Sequence, residues 1–448
     1  MNNASDSLSS RPYSPQVWDE RELWTRDRIE LTQADMLEHQ LGYLYRSSAF
    51  YRARLDEIGW NPNGAFNIDV MQSLPFTDKG QFVASLETDG PFGSILAADA
   101  DQVRRVHFSS GTTSQPAPMF WTQRDLDRWA DLYARSAFSQ GVRPGDIYQC
   151  LFGFAWFVGG LGAMAGYQRL GCLCIPGGSS DTQRQIETIF RLNVTAVGGT
   201  PSFLLHLAET AESMGTPLTE SNVRIVMTGG EPGAAVPGIR EQIEKRWAAK
   251  AFDGYGSIEF QPTAWECTAQ QGGHLTEDFA FAEVLDPQTH KPQPDGEPGV
   301  LVLTHLDKEA APLLRWWTGD IVTRTKETCA CGRTSARLVG GVQGRADDML
   351  VIRGVNVFPS AVENIIRLTD GTGDEYRIVV DKSMLDPITG YPTGIRIDIE
   401  AADGATDLEH RLAAQIRKEL LVRADVRVVP TGSLERFTHK ARRVVKEN

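Results

Sequence analysis

The chain has 448 residues, 41% of them hydrophobic and 23% charged, and a formal net charge of -13. That length exceeds one ordinary core and calls for two or three compact units. The acidic balance argues against a nucleic-acid or anionic-membrane partner, which it would repel, but leaves room for a small anionic ligand met by a few placed cations. Residues 1–20 are polar and acidic, without the apolar run of a signal peptide. Six cysteines without an export signal point to reduced thiols and a cytoplasmic setting.

Residues 16–75 are helical in pattern and end at "LPFTDKGQF". From about 103 to 260 strands and helices alternate. The pattern predicts a strand at Val103–Phe108, a helix at Asp125–Ser139, a strand at Asp146–Phe154, a helix over the following glycine-rich run and a strand at Cys172–Gly178. Next come a helix at Asp181–Leu192, capped by Ser180 or Asp181, a strand at Val194–Ser202 and a helix at Phe203–Ser213. A strand at Val223–Gly230, a helix at Gly238–Ala248 and a strand at Lys250–Gly256 complete the series. Such alternation implies an α/β fold with a largely parallel sheet covered on both faces. Ligands then gather where strands end and helices begin. Cys150–Tyr167 runs eighteen residues without a charge, the lower limit for a membrane span, but five are glycines and no second such run exists. A buried strand–helix unit is the better reading.

From about 275 to 345 short strands (Phe281–Asp286, Gly299–Leu306, Asp320–Thr325) predict a β-rich subdomain. Beyond it, Met349–Phe358 reads as paired strands and Pro359–Leu368 as a helix with proline in its first turn. Tyr376–Asp381 and Gly394–Ala401 alternate at period two, Leu408, Leu412, Ile416 and Leu420 stripe one helix face, and Asp425–Pro430 is a last strand. The expected division is a large N-terminal domain, residues 1–346, and a small α+β domain, residues 347–448.

The stretch Val106–Thr122 looks like a phosphate loop: Ser109, Ser110, Thr112, Thr113 and Ser114 supply hydroxyls, and Gly111 permits close backbone approach before a helix. A Walker-type loop would carry Gly-Lys-Ser/Thr where Ser114-Gln115-Pro116 stands. Taken alone, a plain polar turn is equally admissible. Cys267 and His274, spaced C-x6-H, and Cys329 and Cys331, spaced C-x-C, make a second constellation. Three thiolates and an imidazole suit a closed structural zinc site, the alternative being two pairs of buried thiols. Cys150, Cys172 and Cys174 lie in apolar strands and read as core.

Downstream of the hydroxyl loop stand "TGGEP" (Thr228–Pro232), "DGYGSIE" (Asp253–Glu259), "RWWTGD" (Arg315–Asp320), "GRADDMLVIRGVNVFPSAVE" (Gly344–Glu363) and "HKARR" (His439–Arg443). In order and spacing these resemble the adenylate-forming superfamily of acyl-CoA synthetases, adenylation domains and luciferases. "SSAFYRARLDEIGW", "LPFTDK", "GGLGA", "GTPSFLLHLAE", "CACGRT" and "IRGVNVFPS" place the closest resemblance with phenylacetate-CoA ligase-like aryl-acid ligases.

The resemblance implies a mobile C-terminal domain and a set of roles. Ser109, Ser110, Gly111, Thr112 and Thr113 would close over the ATP phosphates, and Lys440 would bring the catalytic charge to the α-phosphate and the substrate carboxylate. Lys440 also sits in a basic tail with Arg442, Arg443 and Lys446, for which a solvated end is the plainer reading. Glu259 would bind Mg²⁺, Tyr255 would pack on adenine within Tyr255-Gly256-Ser257, and Asp320 and Arg345 would meet the ribose. Gly230 and Glu231 would line the nucleotide, and Asp347 would be the hinge. Phe152, Phe154, Trp156, Phe157, Pro201, Gly229 and Gly230 would form the acyl pocket, their aromatics favouring a flat aromatic acid. There are departures: Ser114 replaces a usual glycine, Ala117-Pro118 stands where many members have lysine, and Glu435 replaces a proline.

The expected function is ATP-dependent activation of an aromatic carboxylic acid as acyl-adenylate, then transfer to coenzyme A. A carrier-protein phosphopantetheine is the alternative thiol, with an acyl or peptidyl carrier protein as partner, and a homodimer is left open. From another class, a zinc-stapled nucleotide-binding protein without ligase turnover would share these features.

Overall fold

The computed structural model describes residues 16–109, 117–156, 158–178, 181–346, 350–352, 355–357, 359–380, 384–385, 392–402, 405–436 and 443–446. Helix α1 (Arg26–Ser47) opens on the Thr25 cap, α2 (Ala49–Glu57) on Ser48, and α4 (Lys79–Thr88) on an Asp78/Gln81 capping box, with the short α3 (Val70–Ser73) between. Leu37, Leu41 and Leu44, on one face of α1, are fully buried. Arg105–Phe108 (β1) and Pro118–Trp121 (β2) pair antiparallel and frame the hydroxyl loop.

The alternating region follows as Gln123–Ser139 (α5), Ile147–Cys150 (β3), Gly159–Leu170 (α6), Leu173–Ile175 (β4), Thr182–Arg191 (α7), Ala196–Gly199 (β5), Pro201–Ser213 (α8), Ile225–Thr228 (β6), Pro237–Trp247 (α9) and Lys250–Tyr255 (β7). Helix α7 is capped by Asp181, whose side chain accepts from Arg184 N. The uncharged 150–167 run divides between the end of β3 and α6. Its glycines serve packing: a Cβ at Gly162 would lie 2.5 Å from Trp129, and one at Gly166 2.2 Å from Tyr133, so α6 fits directly against α5. Among the described residues no helix is long and apolar enough to cross a membrane.

Then come Ala264–Trp265 (β8), Gly273–Leu275 (β9), Ala280–Leu285 (β10), Pro298–His305 (β11), Trp316–Thr325 (β12) and Arg337–Arg345 (β13). These strands form no sheet of their own. One sheet runs β10-β11-β12-β13-β9-β8-β7-β6-β5-β3-β4, parallel from β4 to β7 and antiparallel beyond. The change of direction falls at β7, where "DGYG" leaves the parallel half. Helices α1 to α4 bury their apolar faces against β11 and β12, sharing a core with Leu301, Leu303, Trp316 and Val322. Arg315, the first residue of "RWWTGD", is a strut: it pairs with Glu283 at 3.0 Å and donates to the carbonyls of Gln72 and Leu74.

The C-terminal part holds a hairpin of Leu350–Ile352 (β14) and Val355–Val357 (β15), then Pro359–Leu368 (α10), Thr372–Val380 (β16), Gly394–Ala401 (β17), Leu408–Leu420 (α11), Arg423–Val429 (β18) and Val444–Lys446 (β19). Its sheet runs β18-β17-β16-β19 over a separate core containing Ile366, Ile378, Ile397, Leu412 and Ile416. Strand β19 was not legible in the basic tail; it pairs parallel with β16, while Arg443 pairs with Glu375 and lies 4.8 Å over the Tyr376 ring. A helix contact joins this part to the rest: Gly238 N donates to Asn364 Oδ1, Gln242 Nε2 to the Arg367 carbonyl, and Arg246 pairs with Asp374.

Candidate active site

At the ends of β6, β7 and β13, and on β12 where Asp320 pairs with Arg345, the structure gathers much of what the motifs single out. Tyr255, at the end of β7, donates its hydroxyl to Asp320 Oδ2 at 2.5 Å, and Arg345 Nη1 holds the other oxygen at 3.1 Å. Burial, then the Asp320 charge, pushes the Tyr255 phenol well above its usual range, so it stays a donor. Gly319, at φ +77, admits this: a Cβ there would lie 2.8 Å from Arg345 Nη2. Gly256 and Ser257 begin a tight turn in which Ser257 exchanges hydrogen bonds with Phe260 and carries Glu259 beyond the sheet.

Glu259 is pushed up by burial, against the pull of a Ser257 hydrogen bond and the charges of Lys79 and Lys308. A half-buried carboxylate among cations offers the hard oxygen a Mg²⁺ ion takes and would sit beside a polyphosphate. The two lysines went unassigned at the level of sequence. Lys79 opens α4 within "LPFTDK", and Lys308 lies buried in the turn after β11.

Beneath "TGGEP", Thr228 Oγ1 accepts from Ala234 N at 2.9 Å, and Asp253 lies 3.4 Å from the same hydroxyl. Burial, then the neighbouring Glu266 carboxylate, pushes Asp253 up to about 7. The Glu231 side chain turns to the start of α8, accepting from Ser202 Oγ at 2.9 Å and Ser202 N at 3.2 Å. Phe152 covers Gly198 and Gly229, at 3.2 and 3.8 Å from the Cβ positions those glycines lack, and Phe154 lies 3.5 Å from that of Gly178. Pro201 is buried at the start of α8. Trp156 departs from the expected wall: it is 68% exposed at φ +59, edge-on to Phe108, and its carbonyl accepts from Phe108 N. The turn carries its ring outward. Ser109 closes the base of the hydroxyl loop, its Oγ accepting from Ala117 N at 3.0 Å. Ser110, Gly111, Thr112, Thr113, Ser114, Phe157, Asp347 and Lys440 lie outside the described residues.

The second constellation converges. Pairing of β9 with β13 sets His274 opposite Arg337, and the turn before β13 brings Cys329 and Cys331 beside Cys267. The four ligand atoms all lie within 4.8 Å of one another. Cys267 Sγ and Cys329 Sγ are 3.8 Å apart, and Cys331 Sγ lies 3.5 Å from His274 Nε2. Tetrahedral zinc with bonds of about 2.3 Å to sulfur and 2.0 Å to nitrogen has edges of about 3.8 and 3.5 Å. The set fits. Ser335 Oγ, 3.0 Å from His274 Nδ1, turns Nε2 toward the thiols. Cys331 is held low by hydrogen bonding with Cys267 and, against burial, with His274 and Arg333, favouring the ligating thiolate.

Comparison with known proteins identifies the family. Residues 68–305 match the AMP-binding enzyme family and residues 354–448 the AMP-binding enzyme C-terminal domain. A phenylacetate-coenzyme A ligase of Thermus thermophilus is 36% identical, covering 97% of this chain and 99% of its own. That of Escherichia coli K12 is 32% identical over 93% and 94%. Among solved structures, 2-hydroxyisobutyryl-CoA ligase in its postadenylation state with 2-HIB-AMP superposes at a TM-score of 0.92, 27% identical, covering 98% of this chain and 94% of its own. The same enzyme in its thioesterification state, with 2-HIB-AMP and CoA, is 28% identical over the same shares and superposes at 0.74. Matched along nearly its whole length, the chain belongs to the AMP-binding enzyme family, in its phenylacetate-coenzyme A ligase branch.

Proposed function

We propose that this protein is an AMP-forming ligase that activates an aromatic carboxylic acid with ATP and transfers the acyl group to coenzyme A. The Tyr255–Asp320–Arg345 cluster supports the reading, because it offers a ribose a carboxylate and a guanidinium held in one hydrogen-bonded set, with Glu259 four residues beyond Tyr255. In the first step a carboxylate oxygen of the acid attacks the α-phosphorus and the bond to pyrophosphate breaks. Asp320 and Arg345 orient the ribose, Glu259 would hold magnesium, and Lys440 reaches the reacting phosphate. Magnesium, when bound, neutralises pyrophosphate charge. In the second step the thiol sulfur bonds to the acyl carbon, AMP leaves, and the thiol proton passes to solvent.

On this reading residues 1–346 and 347–448 are the two working bodies, with Asp347 the hinge. Zinc at Cys267, His274, Cys329 and Cys331 would tie β9 to the turn before β13 without an open position for catalysis. Phe152 and Phe154 support an aromatic acid, since burying one ring is worth roughly 2 kcal/mol, or tens-fold in preference. Pyrophosphate release across benzoates, phenylacetates, acetate, butyrate and a branched hydroxy acid, with and without coenzyme A, tests it. Aryl acids should lead by that margin and yield CoA thioesters. Preference for an aliphatic acid removes the aromatic assignment, and turnover only with a phosphopantetheinylated carrier protein removes coenzyme A.

A further inference from the structure

Tyr148, on β3, is fully buried and stacks on Tyr167 of α6 with ring centres 3.6 Å apart. Its hydroxyl makes no hydrogen bond among the described residues. A buried tyrosine hydroxyl ordinarily finds a partner, and leaving one without is costly. Cys150, two residues on and on the same face of β3, bears on it only through a thiol, a weak acceptor. The thiol's own proton turns to the carbonyls of Phe152 and Gly160, at 4.0 and 3.8 Å. Such a group calls for a reason.

Its position supplies one. The register sets Tyr148 beside Ala196 of β5 and Cys150 beside Gly198. Yet it is Gly198 that the Tyr148 hydroxyl meets, 2.6 Å from where a Cβ would stand. The ring therefore leans along the sheet toward the strand ends that carry the site. Gly198 lies beside Met227 of β6, and Gly229 and Gly254 continue the same face of the sheet. Three neighbouring segments thus present no side chain there. Phe152 borders this strip, 3.2 and 3.8 Å from the Cβ positions of Gly198 and Gly229. Met227 borders it too, its Cε 3.2 Å from that of Gly198 and its Sδ 3.6 Å from that of Gly254. The strip is apolar at its sides, with one unused hydroxyl at its inner end.

We propose that Tyr148 sets the ring substituent of the substrate: its hydroxyl pairs with a polar group at the end of the aromatic acid remote from the carboxylate, so the preferred acid is hydroxylated on its ring. This rests on the aromatic-acid reading of the site and narrows it. A ring hydroxyl completes a hydrogen bond that the protein by itself leaves open. A methyl group of similar size fills the same space and leaves the tyrosine unpaired, and a site built to hydrogen-bond a hydroxyl rejects such an analogue strongly. Burial, then the Cys150 thiol, pushes the Tyr148 phenol well above its usual range, so it remains an O–H donor.

Pyrophosphate release by the full chain tests it, with 4-hydroxybenzoate and 4-hydroxyphenylacetate each set against its 4-methyl analogue, in parent and in Tyr148→Phe. For the better-used ring, kcat/KM of the parent should favour hydroxyl over methyl by about tenfold or more. In Tyr148→Phe that ratio should fall to about one, and the melting temperature should hold or rise, because the hydroxyl removed had no partner. A ratio near one in the parent, or a ratio unchanged in Tyr148→Phe, overturns the proposal and leaves the ligase reading intact. So does a marked fall in melting temperature or a chain that no longer folds, either of which shows the hydroxyl already paired within the protein. Turnover of aliphatic acids alone removes the aromatic reading on which the proposal rests, and release from no acid removes the ligase reading as well.

Discussion

Replacing Gly238 with alanine should uncouple the two half-reactions. Gly238 lies in the first turn of α9, against α10. A methyl on its Cα would meet Arg367 Cβ at 2.7 Å, and the Asn364 carbonyl and Leu368 Cγ each at 3.2 Å. Within α9 alone, alanine is favoured over glycine by about 1 kcal/mol, so the penalty falls on the docked arrangement. Overpacking costs about 1–3 kcal/mol, and separating the helices also loses the Gly238–Asn364 hydrogen bond, worth about 1 kcal/mol. A net penalty of about 2 kcal/mol moves the docked population roughly 30-fold. The docked arrangement is the one that resembles a postadenylation state. Pyrophosphate release should therefore fall about tenfold or more, while supplied acyl-adenylate is converted to thioester at the parent rate or faster. Thermal stability should hold or rise. An unchanged first half-reaction, or an equal fall in both, refutes the reasoning.

Lys440→Ala should slow adenylate formation by a factor on the order of 10² and leave thioester formation from supplied acyl-adenylate standing; pyrophosphate release at the parent rate would make Lys440 a tail residue. Purified protein should carry about one equivalent of zinc by elemental analysis, and Cys329→Ser should lower both zinc content and melting temperature. Metal-free protein of unchanged stability would return the four ligands to buried thiols and a histidine. Asp253, pushed up to about 7 in the folded protein from the ordinary carboxyl value of 3.8, binds its proton more tightly folded than unfolded. Its contribution is fully present below about pH 4 and is lost as pH rises toward 7. The melting temperature of Asp253→Asn relative to parent should accordingly rise between pH 5 and pH 8; a pH-independent difference would show that Asp253 does not titrate in that range.

Much of the architecture was legible without coordinates. A residue's periodicity records which face it buries, and a cap records where a helix starts, both properties of a few neighbouring residues. Pro359 opening α10 and the Leu408–Leu412–Ile416 stripe therefore read directly from the chain, while the cap of α7 was narrowed to Ser180 or Asp181 and the structure has Asp181. So did the types and spacing of the four zinc-type ligands, though the choice between metal and thiol pairs did not. Partnership across the chain was beyond such signals. Tertiary structure decided that the antiparallel strands continue the parallel sheet through β7, β8 and β9, because backbone edges look alike until a neighbour is chosen. It decided that Trp156 turns outward and that the tail ends in a strand beside β16. Lys308 shows the limit best: in sequence it is one charge among Asp307, Lys308 and Glu309, with nothing to tell it from a solvated turn. Only packing against Trp121, nearly two hundred residues earlier, covers its side chain and sets its ammonium 4.6 Å over that ring. Burial of a charge is set by what the rest of the chain brings around it, which no local pattern encodes.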